Sequence, residues 1–217
     1  MNKTSFSRFF YRLWRSITEA YSDDLYQDPW KFEYVVLDTE TTGFDYYTDR
    51  ILCIGALKLR EDRINVNDCL EIYLEQQHYN RDSTEVHGIL KNEGKDCLGE
   101  KEAMIKLINY IGDAIIVAHH TRFDMTMINK ALKRQGLPTL KNRTLDTSKM
   151  YRKTLIASPL LKKKPSYSLD ELADKFNLSK KDRHTALGDA YITALAFIRI
   201  VKILRKKYLN LTVMDLM

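Results

Sequence analysis

Cysteine is scarce in this chain and builds no framework. The 217 residues hold three, Cys53, Cys69 and Cys97, with no Cys-x-x-Cys pair among them. That excludes a disulfide scaffold and a thiolate zinc site, and it predicts a reducing, cytoplasmic setting. Long apolar runs are missing too. No stretch approaches the ~20 residues of a membrane-spanning helix, so stable membrane insertion is not expected. The first residues lack an unbroken apolar core ahead of a small-residue cleavage site, which argues against a secretory signal. There is no internal repeat and no low-complexity tract. A phosphate-binding P-loop is also absent: Gly88 to Gly94-Lys95 is one residue too long, and no Ser or Thr follows the lysine.

What is present fits one soluble domain with a modest extension. Hydrophobic residues make up 44% and charged residues 29%, the balance of a globular protein able to bury a sizeable core. The formal charge is +6 and the pI about 9.0, which favours polyanionic partners without identifying one.

Residues 1–30 read as a basic amphipathic helical extension. Phe6, Phe9, Phe10, Leu13, Trp14, Ile17 and Tyr21 recur at helical spacing, with Lys3, Arg8, Arg12 and Arg15 between them. Asp28-Pro29 ends it. Its stripe packs on the parent domain, docks on a partner or lies on a membrane surface. Three strand patterns follow, Tyr34–Leu37, Arg50–Leu59 and Asp68–Leu74, joined by short polar turns and therefore antiparallel. The pattern then alternates. Glu100–Ile111 and Phe123–Gln135 are helical, with an apolar strand over Ala114–Ala118 between them and a short strand near Thr144–Leu145 after them. Ser168-Leu169-Asp170-Glu171 has the form of a capping box. Thr185–Lys207 is a long helix whose buried stripe is Ala190, Ala194, Phe197, Val201 and Leu204. The sum predicts an α/β fold: three antiparallel strands followed by parallel ones in a mixed sheet, helices on both faces. The domain spans 31–207, and 208–217 is left as a C-terminal tail.

Acidic residues sit where such a fold should bury apolar ones. In "VVLDTETTGFD", Asp38 and Glu40 are two apart at the end of a strand and so share a face. In "VAHHTRFD", Asp124 lies on the first turn of a helix, where it serves either as a cap or as a ligand. In "RHTALGDA", Asp189 lies among alanines on the apolar side of the long helix, with His184 at its entrance. Buried carboxylates need compensation. Hard divalent cations prefer oxygen ligands, and two of them about 4 Å apart stabilise in-line displacement at phosphorus. A nearby imidazole can take the proton of an attacking water near neutral pH. These residue types fit phosphodiester hydrolysis.

The three segments together resemble the DnaQ-like exonucleases of the DEDDh group, the family that includes the proofreading epsilon subunit of DNA polymerase III. "EVHGI" (85–89) and "YSLDELADKFNL" (167–178) are similar to its intervening segments, so the likeness covers roughly residues 32–204. It implies a ribonuclease H-like fold and release of 5′-mononucleotides from a 3′ end. It implies that Asp38, Glu40, Asp124 and Asp189 bind two Mg²⁺ or Mn²⁺ ions, with His184 as general base. Thr41, Thr42, Gly43 and Phe44 would contact the terminal nucleotide. One departure stands in the second motif, where the family often has His-Asn and this chain has His119-His120; His120 would touch substrate and alter affinity or pH dependence.

The expected partner is the single-stranded 3′ end of a nucleic acid, DNA ahead of RNA, with a DNA polymerase or another repair protein as a candidate second partner. Lys162, Lys163, Lys164, Lys180, Lys181 and Arg183 are candidates to neutralise phosphates, and Tyr46 and Tyr47 to stack on a base. The competing readings are an exoribonuclease, and a nucleic-acid-binding module without activity, which would be expected to lack one of the five site residues. A phosphatase of the haloacid dehalogenase type would need Asp in place of Glu40 and leaves His184 and Asp189 unexplained.

Overall fold

The computed structural model describes residues 23–76, 88–89, 96–156 and 164–217. The helix expected within 1–30 lies outside them up to residue 22, as do most of "EVHGI" and the lysines at 162 and 163. Residues 23–31 form two short 3₁₀ turns, Asp23–Tyr26 and Pro29–Lys31, the second capped by Asp28, whose carboxylate accepts from the Trp30 amide.

Six strands form one sheet: β1 (Glu33–Thr41), β2 (Ile51–Arg60), β3 (Arg63–Leu74), β4 (Cys97–Leu98), β5 (Ile115–Ala118) and β6 (Thr144–Asp146), in the order β4-β3-β2-β1-β5-β6. β1, β2 and β3 are antiparallel neighbours, while β5 runs parallel to β1 and β6 parallel to β5. The expected meander and the parallel half are both present. β4 was not expected; its two residues pair parallel with the end of β3, too short a run to leave a periodic signal.

Among the described residues, six helices cover the sheet: α1 (Glu100–Ile111), α2 (Arg122–Arg134), α3 (Thr147–Thr154), α4 (Leu169–Phe176), α5 (Ala186–Lys207) and α6 (Val213–Leu216). Alternation along β1 divides the core. Tyr34 and Val36 pack against α5 through Ala190, Ala194, Phe197 and Val201. Val35 and Leu37 face the other way, onto Met104 and Leu107 of α1 and Ile128 and Leu132 of α2. Helices therefore cover both faces. The capping box of α4 forms as expected, with Ser168 accepting from the Glu171 amide and Glu171 from the Ser168 amide. Residues 208–217 differ from the expected tail. Leu211, Val213 and Leu216 are buried in the α5-side core, and the Val213 amide donates to the Gln27 carbonyl at 3.2 Å.

Candidate active site

β1 runs four residues further than its apolar pattern and carries Asp38 and Glu40 inside the strand. Both lie on the α5 face, continuing Tyr34 and Val36. Across the ladder, Asp38 pairs with Gly55 of β2. A Cβ on Gly55 would lie 2.2 Å from the Ala186 carbon and the Leu187 nitrogen. The missing side chain lets the start of α5 rest directly on the sheet, and this brings Asp189, on the first turn of α5, to the acidic pair. Thr185 caps the helix, accepting from the Gly188 amide at 3.1 Å.

Carboxylate oxygens of Asp38, Glu40 and Asp189 lie within 4.8 Å of one another. Asp124 arrives from the opposite side of the sheet. Thr39, between the two acidic residues of β1, points to the α2 face and donates its hydroxyl to Asp124 Oδ1 at 2.8 Å. Asp124 is buried and stands just outside the tight cluster, near enough to Asp38 for the two charges to repel.

Desolvation dominates the electrostatics of this group. It drives the Asp38 carboxyl well above the carboxylate range, and repulsion from Asp124, Asp189 and Glu40 adds to it. Desolvation and then Asp189 push Glu40 up to about 7. Burial pushes Asp124 up to about 7 as well, against the Thr39 hydrogen bond, which favours the ionised form. Such groups hold protons unless a cation replaces them. Asp189 Oδ1 is buried and makes no hydrogen bond, as a ligand oxygen facing an ion site would be. The donor set is all oxygen, which fits Mg²⁺ or Mn²⁺.

The other expected site residues are placed differently. His184 is exposed, with φ 65°, and among the described residues it makes no hydrogen bond or ion pair. Its neighbour Arg183 turns inward instead. Arg183 Nε and Nη2 donate to the two carboxylate oxygens of Asp170 at 2.8 and 3.0 Å, and Nη1 donates to Asp189 Oδ2. Arg183 was expected to meet phosphate; it meets carboxylates, because Asp170 of α4 and Asp189 of α5 flank it. Lys164 and Lys180 are likewise paired, with Glu171 and Asp174.

In the turn after β1, the Thr41 hydroxyl donates to the Gly43 carbonyl at 2.7 Å and the Thr42 hydroxyl to Asp49 at 2.7 Å. These hydroxyls shape the turn. Gly43 leaves room for the Asp49 carboxylate, which would lie 2.5 Å from a Cβ there. Phe44 is 87% exposed, its ring against Phe123 at the start of α2. Tyr46 packs on the same Phe123, and Lys130 sits over the Tyr47 ring.

His120, with φ 60°, lies beside Ser166, with Nε2 and Oγ 3.3 Å apart. His119 is the residue that sequence reasoning missed. Its Nε2 donates to the Tyr167 carbonyl at 3.0 Å, so its Nδ1 accepts from the Thr147 hydroxyl at 2.8 Å. Burial and then His120 push its pKa down to about 4. It stays neutral and ties the loop before α2 to α3 and to the approach to α4.

Comparison with known proteins agrees with this geometry. Residues 35–197 match the RNase T exonuclease family. The PolC-type DNA polymerase III of Thermotoga maritima is 34% identical over 173 residues, 80% of this chain but 12% of that polymerase. The DNA polymerase III epsilon subunit of Aquifex aeolicus is 31% identical over 175 residues, 81% of this chain and 83% of that subunit. Among solved structures, E. coli exonuclease I in complex with single-stranded DNA superposes with a TM-score of 0.67 at 16% identity, covering 85% of this chain and 42% of that one. Exonuclease X in complex with 5′-overhanging duplex DNA gives 0.60 at 22% identity, covering 84% and 96%. These two likenesses establish the ribonuclease H-like fold. The chain belongs to the DnaQ-like, or DEDD, family of 3′–5′ exonucleases, with Asp38, Glu40 and Asp189 as its acidic cluster. Among the described residues, no helix is long and apolar enough to cross a membrane.

Proposed function

We propose that this domain hydrolyses phosphodiester bonds one at a time from the 3′ end of single-stranded DNA, releasing 5′-mononucleotides in proofreading or repair. The observation that carries the reading is the meeting of Asp38, Glu40 and Asp189 oxygens within 4.8 Å, with Asp124 held beside them. Two divalent ions held by these four carboxylates would supply Lewis-acid activation of the water and stabilisation of the leaving oxygen. The protein's own groups do the rest. Thr39 holds Asp124 in place through its hydroxyl and favours the ionised form that a bound cation would meet. Phe44, exposed at the rim and braced by Phe123, offers a face on which the terminal base stacks, and Tyr46 and Tyr47 extend it. The shape of the 41–44 turn, set by Asp49, delivers the backbone to the terminal nucleotide. His184, exposed at the entrance to α5, takes the proton of the attacking water as general base.

DNA is favoured because the 34% and 31% identical relatives are a DNA polymerase and a DNA polymerase subunit. A polymerase or repair partner fits the same relationship, with residues 1–30 as the segment that docks. The test is a time course on 5′-labelled single-stranded DNA and RNA of matched sequence, in Mg²⁺, Mn²⁺ or EDTA. The expected result is a ladder shortening by single nucleotides, faster on DNA, silent in EDTA. Asp38→Ala should lower the rate at least ~10³-fold while the protein stays folded, since it removes a group central to stabilising the transition-state charge. Wild-type cleavage by that variant would disprove the metal assignment.

A further inference from the structure

Arg183 sits between two carboxylates at the edge of the acidic cluster. Its side chain is 14% exposed and lies between Asp170 and Asp189, whose side chains are 46% and 10% exposed. Two of its nitrogens form a fork on Asp170, and the third reaches Asp189. The backbone holds it there. The Asp182 carbonyl lies where a Cβ on Gly188 would be, 1.9 Å away, and accepts the Thr185 hydroxyl at 2.8 Å. This clamps the turn onto the first turn of α5 with Arg183 facing in and His184 facing out. From that position the guanidinium also favours ionisation of Asp38 and Glu40. A fixed cation inside a carboxylate cluster offsets the repulsion that otherwise opposes folding.

The Asp189 carboxylate is thereby divided. Oδ2 is taken by Arg183, and Oδ1 is buried without a hydrogen bond. A divalent ion that binds Asp189 meets the guanidinium charge, and it breaks the hydrogen bond if it uses Oδ2. The Asp170 fork keeps Arg183 near the site when the Asp189 contact is given up. Resting on the metal-site reading above, we propose that Arg183 is an intrinsic counter-ion of the acidic cluster, one that competes with the catalytic divalent cation for Asp189 and weakens its binding. Ion affinity in this enzyme is then set partly by a residue outside the carboxylate set, and ion arrival loosens the turn that carries His184.

The test measures Mn²⁺ binding to the whole chain by calorimetry, with thermal denaturation in parallel, for wild type, Arg183→Gln, Arg183→Lys and Asp38→Ala. Arg183→Gln should bind Mn²⁺ roughly tenfold tighter or more, the lower end of what a charge-assisted hydrogen bond is worth. It should melt lower than wild type in EDTA and gain more from saturating Mn²⁺. Arg183→Lys keeps the charge without the fork and should stay closer to wild type than to Arg183→Gln. Equal or weaker binding by Arg183→Gln, with wild type still binding through Asp38, overturns the proposal and leaves the metal site standing. If wild type, Arg183→Gln and Asp38→Ala all fail to bind Mn²⁺, the metal-site reading itself fails, and the proposal with it.

Discussion

Glu40 and Asp124 carry protons in the folded protein that the unfolded chain releases much earlier. Their ordinary values are 4.5 and 3.8, and burial holds both near about 7. Between those limits the folded state binds more protons than the unfolded state. Raising the pH through that window therefore favours unfolding, and the contribution is lost as pH passes the folded value. In EDTA, the melting temperature should fall as pH rises from about 4 to above 7, by roughly 2–4 °C for each kcal/mol lost in a chain of this size. Glu40→Gln has nothing to ionise and should flatten the fall, and Mg²⁺ should remove most of it. A pH series of melting curves checks this; a wild-type profile as flat in EDTA as in Mg²⁺ would contradict it. At this scale the sequence was informative about identity and poor about orientation. Asp38, Glu40 and Asp189 stood out because carboxylates interrupted apolar patterns. Arg183 looked like one of several basic loop residues, because its partners Asp170 and Asp189 are thirteen and six positions away. His119 looked like half of a doublet; only the Thr147 and Tyr167 contacts give it a task.

β1 and α5 make the site by lying against each other, and Gly55 sets how closely they lie. Gly55→Ala puts a methyl group 2.2 Å from helix backbone, where no side chain can move aside. The start of α5 must retreat, taking Asp189 from Asp38. The expected loss is about 1–3 kcal/mol of stability, as for overpacking generally. Activity and Mn²⁺ binding should fall further than stability alone explains, which melting curves with and without Mn²⁺ will separate. Wild-type ion binding in this variant would mean that α5 is not positioned by that contact. Element order, the antiparallel meander and the long helix were all legible, because each spans enough residues for a period to emerge. β1 was read too short because Asp38 and Glu40 end its apolar run while its ladder to β2 continues. β4, two residues long, is made by pairing and not by pattern, whereas the short strand expected near Thr144–Leu145 is β6. The glycine that matters most at the α5 contact gave no signal, since its role depends on a helix more than a hundred residues later.

Among the described residues, the segment after α5 packs back onto the domain. Leu211, Val213 and Leu216 share the α5-side core with Phe197 and Leu204, and α6 packs against the turn at Asp23–Tyr26. Leu216, 1% exposed, should therefore cost about 2–5 kcal/mol when cut to alanine, a loss that denaturant titration will read directly. A loss below ~0.5 kcal/mol, typical of surface substitutions, would place Leu216 outside the core. The alternation along β1 has a consequence for how this chain can vary. Tyr34 and Val36 anchor the strand on one side, Val35 and Leu37 on the other, and Asp38, Thr39 and Glu40 inherit their directions from those anchors. Apolar side chains there can be exchanged for one another with little effect on direction. A single residue gained or lost between Tyr34 and Asp38 reverses every side chain beyond it, turning both acids toward α2 and Thr39 toward α5. Descent with modification can thus respell the apolar positions of this strand, but it cannot change its length ahead of Asp38.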